Sequence, residues 1–111
     1  MTVDELCKAL NAEYSVKGDI TREITGAVAG DLLSFIMGNA EEGSAWVTIQ
    51  THLNVAAVAV LKDIPLIIIA SGREPAEDLA ERCREEEISV ISLPGSLFEI
   101  CGELSALGLK G

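Results

Sequence analysis

The sequence predicts an α/β domain: one mostly parallel β-sheet flanked by helices. Three observations carry that expectation. Residues 66–70 (LIIIA) form a continuous apolar run of strand length, the pattern of a strand buried on both faces of a parallel sheet. Residues 45–63 (AWVTIQTHLNVAAVAVLKD) read as a strand, a polar turn and a helix. Segments of strand character alternate with segments of helical period along the chain, which implies parallel strands joined by right-handed crossovers. The 111 residues suit a single domain spanning 1–111. Aromatics are only 4% of the chain, so Leu, Ile, Val and Ala must fill the core.

Taken in order, residues 2–11 read as a helix. Thr2 and Glu5 have capping-box spacing, and Leu6, Ala9 and Leu10 share a stripe. Residues 13–16 are a short strand, and Lys17, Gly18 and Asp19 a turn. Residues 20–28 form a second strand with partial alternation at Ile20, Arg22 and Ile24. Gly26 and Gly30 mark close backbone approaches or unusual dihedrals. Residues 31–37 read as a helix carrying Leu32, Leu33, Phe35 and Ile36, and 39–44 as a loop.

In the central unit, Trp46, Val47 and Ile49 supply β-branched and aromatic strand residues. Thr51 is placed to cap the following helix. Residues 53–61 are nearly all Ala, Val and Leu, so that helix is apolar on every side and needs cover on most faces, part of it from a second copy of the chain. Pro65 opens the 66–70 strand, Ser71 and Gly72 close it, and Pro75 suits the first turn of the next helix. There Ala76, Leu79, Ala80 and Cys83 keep helical spacing. Residues 88–93 form a last strand ended by Pro94 and Gly95. Ser96 and Glu99 make a second capping box for a helix with Leu97, Ile100, Cys101 and Leu104 on one stripe, ended by Gly108.

The charge excludes some functions. Eighteen acidic against eight basic residues give a formal net charge of -10, so nucleic acid and anionic membrane surfaces are unsuitable partners. Cys7, Cys83 and Cys101 make an odd count without a CxxC pair, which argues against a disulfide framework or a zinc ribbon and for a reducing, cytoplasmic setting. No secretory leader is visible after Met1, and the longest apolar run, 55–61, is far too short to span a membrane. No metal or cofactor site is expected.

Candidate ligand contacts gather where strands give way to helices. Thr48, Gln50, Thr51, His52 and Asn54 surround the first such junction, and Ser71, Gly72, Arg73 and Glu74 form the second. Ser92, Pro94, Gly95 and Ser96 form the third. In a parallel sheet all three share one edge, where α/β proteins bind ligands. Helix-start N–H groups hold anions, and Arg73 adds a charge-assisted bond to phosphate. Each position also has a plain structural use: a cap, a tight turn or a surface ion pair. Arg22 and Asp31 flank the glycines and suit a structural ion pair, while residues 85–87 (EEE) suit a solvated helix end.

Three stretches, ITREITGAVAGDLLSFIMG, AWVTIQTHLNVAAVAVLKD and IIIASGREPAEDLAERCREEEISVIS, together resemble the DRTGG domain over about residues 19–107. The family letters can be followed at Asp19, Arg22, Thr25, Gly26 and Gly30. That small α/β domain is similar to the N-terminal domain of HPr kinase/phosphorylase. It also occurs in some phosphotransacetylases and between the CBS repeats of some pyrophosphatases. The resemblance implies a regulatory or ligand-sensing module. Stand-alone versions resemble small bacterial proteins found with hydrogenase and serine-kinase-like components. Nothing fits the phosphate-loop pattern GxxxxGK(S/T), so the kinase chemistry itself is not expected.

Two function classes follow, with a third beside them. The first is a non-catalytic regulatory module, homodimeric, that senses a small phosphorylated or nucleotide-like ligand or docks a partner protein. The second is a small enzyme using His52 with Asp31 or Glu74, which lacks an evident nucleophile or metal set. The third is an interaction module whose strand-end edge holds nothing.

Overall fold

Apolar runs too short for helices build the sheet, and the helical periods between them cover it. The computed structural model describes residues 1–111. The order is α1 (Val3–Ala9), β1 (Tyr14–Val16), β2 (Gly26–Ala29), α2 (Leu33–Asn39), β3 (Ser44–Thr48), α3 (Asn54–Leu61), β4 (Leu66–Ile69), α4 (Glu77–Glu85), β5 (Ser89–Ser92) and α5 (Leu97–Ala106). The five strands form one sheet in the order β1-β5-β4-β3-β2. Strands β2 to β5 run parallel in register, Ala45 beside Leu66 and Leu66 beside Ser89, and only β1 is antiparallel, against β5.

The helices sort by face because strand side chains alternate. Trp46, Ile67, Ile69 and Val90 point to one face and pack with Ile36, Val55, Ala59, Leu79 and Cys83 of α2, α3 and α4. Ala45, Val47, Leu66, Ile68 and Ile91 point to the other and pack with Leu6, Cys7, Ile100 and Leu104 of α1 and α5. The LIII strand is therefore wholly buried, as its composition requires.

Several expectations need correction. The second strand is Gly26–Ala29 alone. Residues 20–24 instead serve the start of α1, whose first N–H groups have no partner within the helix. Val3 N–H donates to the Arg22 carbonyl at 2.9 Å and Asp4 N–H to that of Ile20 at 3.1 Å, while Ile24 N–H donates to the Met1 carbonyl at 2.8 Å. The buried side of α1 is Val3, Leu6 and Cys7, with Ala9 exposed and Leu10 partly so. In α2 only Ile36 is buried; Leu32 and Phe35 are 67% and 48% exposed.

Thr51 does not cap α3, which starts at Asn54 behind Leu53, itself already helical and without a capping side chain. Thr51 is buried, and its carbonyl accepts Ala76 N–H at 2.9 Å. That bond holds Ala76 extended as the residue before α4, so Pro75 lies outside the first turn. Helix α3 buries Val55, Ala56, Val58 and Ala59 within one chain and leaves Leu53, Val60 and Leu61 exposed. Both capping boxes form, at Thr2/Glu5 and Ser96/Glu99.

Candidate functional site

Because β2 to β5 are parallel, the segments after them meet along one edge. Hydrogen bonds tie these segments to one another. Thr48 Oγ1 and Ile49 N–H both donate to Asp31 Oδ1, at 2.9 and 2.8 Å, joining the ends of β2 and β3. Gln50 Nε2 donates to the Asp31 carbonyl at 2.9 Å, and Gln50 N–H to Thr48 Oγ1 at 3.1 Å. Arg73 Nη1 donates to the Ile49 carbonyl at 2.6 Å, bridging the ends of β3 and β4. The Arg73 carbonyl accepts Ser92 Oγ at 2.6 Å, reaching β5.

The Ser71–Gly72 turn is left-handed at both residues, φ 63° and 69°, a conformation that glycine adopts freely and serine at a cost. It aims Ser71 N–H at the Gly95 carbonyl and Gly72 N–H at that of Leu93, both at 2.8 Å. Those two donors are therefore committed to the β5 loop. Ser96 Oγ accepts Glu99 N–H at 3.1 Å as the cap of α5. In return Ser96 N–H donates to Glu99 Oε1 at 3.0 Å, and that backbone bond holds the Glu99 carboxyl below its ordinary pKa.

Thr48, Gln50, Thr51, His52, Asn54, Ser71, Gly72, Arg73 and Ser96 thus lie on segments along one edge of the sheet, though their polar groups are not equally free. Thr48, Gln50 and the Thr51 carbonyl hold neighbouring loops. His52 and Asn54 are exposed, and their side chains bond to no protein group. Arg73 is exposed and hydrogen-bonds a carbonyl rather than a carboxylate, so its charge is not neutralised by an ion pair. Glu74 is turned aside, accepting Ser15 Oγ at 3.3 Å. Asp31 and Glu74 hydrogen-bond groups other than His52. No cluster of three or more His, Cys, Asp or Glu side chains is placed to hold a metal ion.

Arg22 forms the structural ion pair expected of it, but with the Asp63 carboxylate and not with Asp31. Arg22 and Asp31 lie at opposite ends of β2, and Arg22 reaches Asp63 at 3.4 Å. Two features escaped sequence reading. One is the Asp31 bracket across the strand ends, since a carboxylate's backbone partners leave no spacing signal. The other is a pair of grooves, about 390 and 440 Å³, on either side of β2. They form only when the chain closes, from residues far apart in sequence.

No family model and no curated protein matches the chain. Among solved structures the fold is similar to the crystal structure of the CBS and DRTGG domains of the regulatory region of Clostridium perfringens pyrophosphatase, complexed with its activator, diadenosine tetraphosphate. The TM-score is 0.68 at 18% identity, over 98% of this chain and 47% of the other. The chain therefore spans about half the length of that structure, and the likeness shows a DRTGG-like fold. No helix is long and apolar enough to cross a membrane.

Proposed function

We propose that this chain is a DRTGG-family module, with its family core at about residues 19–107, that acts by binding rather than catalysis. It takes a small phosphorylated or nucleotide-like ligand at the strand-end edge. The observation that carries the reading is the Arg73 guanidinium, fixed by the Ile49 carbonyl yet paired with no carboxylate in a chain of net charge -10. His52, Asn54 and Ser71, on the segments that follow β3 and β4, are the further donors in this reading. The fold likeness to a regulatory region complexed with a dinucleoside polyphosphate supports the same class of ligand. A partner protein's carboxylate, on a hydrogenase or serine-kinase-like component, is the alternative occupant. Three unpaired cysteines suit a reducing cytoplasm, and the module works as a homodimer.

The test is a thermal-shift screen with inorganic phosphate, mononucleotides and diadenosine tetraphosphate. A ligand at 100 times its Kd raises stability by about 2.7 kcal/mol. A hydrogen bond to a charged group contributes about 1.5–3 kcal/mol, so Arg73→Ala weakens affinity by about tenfold or more; it also removes the bond to the Ile49 carbonyl, so the unliganded melting temperature falls while the chain stays folded. His52→Ala weakens affinity less. A ligand whose affinity neither substitution alters binds elsewhere and removes this reading.

A further inference from the structure

The Arg73 guanidinium is aimed by one bond, and that bond closes a series of hydrogen bonds that begins at Asp31. Arg73 Nη1 donates to the Ile49 carbonyl at 2.6 Å. That carbonyl belongs to the peptide unit between Ile49 and Gln50, whose N–H donates to Thr48 Oγ1 at 3.1 Å. The hydroxyl of Thr48, a wholly buried residue, donates in turn to Asp31 Oδ1 at 2.9 Å. The same carboxylate oxygen accepts Ile49 N–H at 2.8 Å, and the Asp31 carbonyl accepts Gln50 Nε2 at 2.9 Å. Asp31, at the end of β2, therefore grips the Ile49–Gln50 turn at both of its residues.

We propose that Asp31 is the positioning residue for the Arg73 guanidinium. It acts through Thr48 and the Ile49–Gln50 peptide, fixing the carbonyl that aims Arg73. The consequence for binding rests on the reading of Arg73 as the cation that meets an anion. Hydrogen bonds in series polarise one another. A carboxylate at the head of the series makes Thr48 Oγ1 a better acceptor for Gln50 N–H, and the Ile49 carbonyl a better acceptor for Arg73. An exposed arginine otherwise samples many rotamers, and a guanidinium already anchored loses less of that freedom when an anion arrives. One donor is spent on Ile49, and the rest stay available because the anchor is a carbonyl and not a carboxylate.

Charge and positioning give opposite signs. In a chain of net charge -10, a carboxylate that acted only through its charge would repel an anion, and its removal would strengthen binding. A carboxylate that holds the Ile49–Gln50 turn weakens binding when it is removed, despite the charge lost with it. Asparagine keeps an Oδ1 acceptor, so Asp31→Asn loses the charge and keeps the turn. Thr48→Val has a similar shape, cuts only the hydroxyl step and leaves Ile49 N–H on Asp31.

Side-chain nitrogen NMR of Arg73 in the full chain, with and without inorganic phosphate, tests this. Without phosphate, the Arg73 Nη protons should exchange slowly in the wild type and in Asp31→Asn, and about tenfold faster in Asp31→Ala and Thr48→Val. With phosphate, Asp31→Ala should weaken affinity about tenfold, whereas Asp31→Asn should match or exceed the wild type. Should Asp31→Ala fail to fold, Thr48→Val carries both measurements. A residue that only supported the fold would lower the melting temperature on substitution and leave Arg73 exchange as it was. Arg73 exchange unchanged in both Asp31→Ala and Thr48→Val, or phosphate bound more tightly by Asp31→Ala, overturns the proposal. A wild type that binds no phosphate, with Arg73 exchange still faster in Asp31→Ala, removes the anion reading and upholds the positioning of Arg73 by Asp31.

Discussion

Single residues here are constrained by what touches them. Ala59 is fully buried between α3 and the sheet. Ala59→Leu should overpack that layer and cost about 1–3 kcal/mol, read as a lower melting temperature; an unchanged one would show that α3 can shift outward. A Cβ on Gly18 would collide with the Glu87 carbonyl, which is backbone and cannot rotate away. Gly18→Ala should therefore destabilise more than an exposed-loop substitution, by about 1–3 kcal/mol. Burial pushes the Cys83 thiol up to about 11, whereas Cys101 is only partly buried. At pH 8 alkylation should reach Cys101 first, checked by mass spectrometry on the folded protein.

The same reasoning explains which elements were legible in the sequence. Residues 66–69 could be read because a strand covered on both faces leaves an uninterrupted apolar signature. The capping boxes could be read because both partners lie within four residues. Residues 20–24 misled because alternation resembles a strand, yet their hydrogen bonds go to the first turn of α1, a partner invisible to local pattern. Thr51 misled for a related reason: it follows a strand and precedes a helix, but its carbonyl serves Ala76 across the edge. Of the candidate site, sequence could give the shared edge and its residues. It could not give which donors the loops had already used.

The capping boxes also have a pH consequence. The Thr2 backbone N–H bonded to Glu5 and the Ser96 backbone N–H bonded to Glu99 hold both carboxyls below their ordinary values. A depressed folded pKa means that the unfolded chain binds protons first as pH falls. The boxes therefore contribute their full stability above the ordinary carboxylate range and lose it as pH drops through the depressed values. Melting temperature should fall below that range, and Glu5→Gln should shrink the pH-dependent part without removing it. Thr2→Ala should cost about 1 kcal/mol at neutral pH.

At the scale of the whole molecule, two electrostatic effects have opposite signs. The chain carries -10 within extents of 31 × 28 × 25 Å. Against that self-repulsion stand four ion pairs, all with at least one well-exposed partner. Such pairs contribute about 0–1 kcal/mol each. The Debye length falls from about 30 Å at 0.01 M salt to about 8 Å at 0.15 M, so screening removes repulsion across the whole body and little attraction. The melting temperature of the free protein should rise with sodium chloride over that interval. An anion at Arg73 should respond the other way, because salt screens its one exposed cation. The stabilisation given by a fixed concentration of phosphate-bearing ligand should shrink as salt rises. A matrix of melting curves, with and without ligand at several salt concentrations, separates the two slopes. A free-protein melting temperature that falls with salt would mean that the ion pairs outweigh the net charge. A ligand shift indifferent to salt would mean that the ligand is held by apolar surface instead of by Arg73.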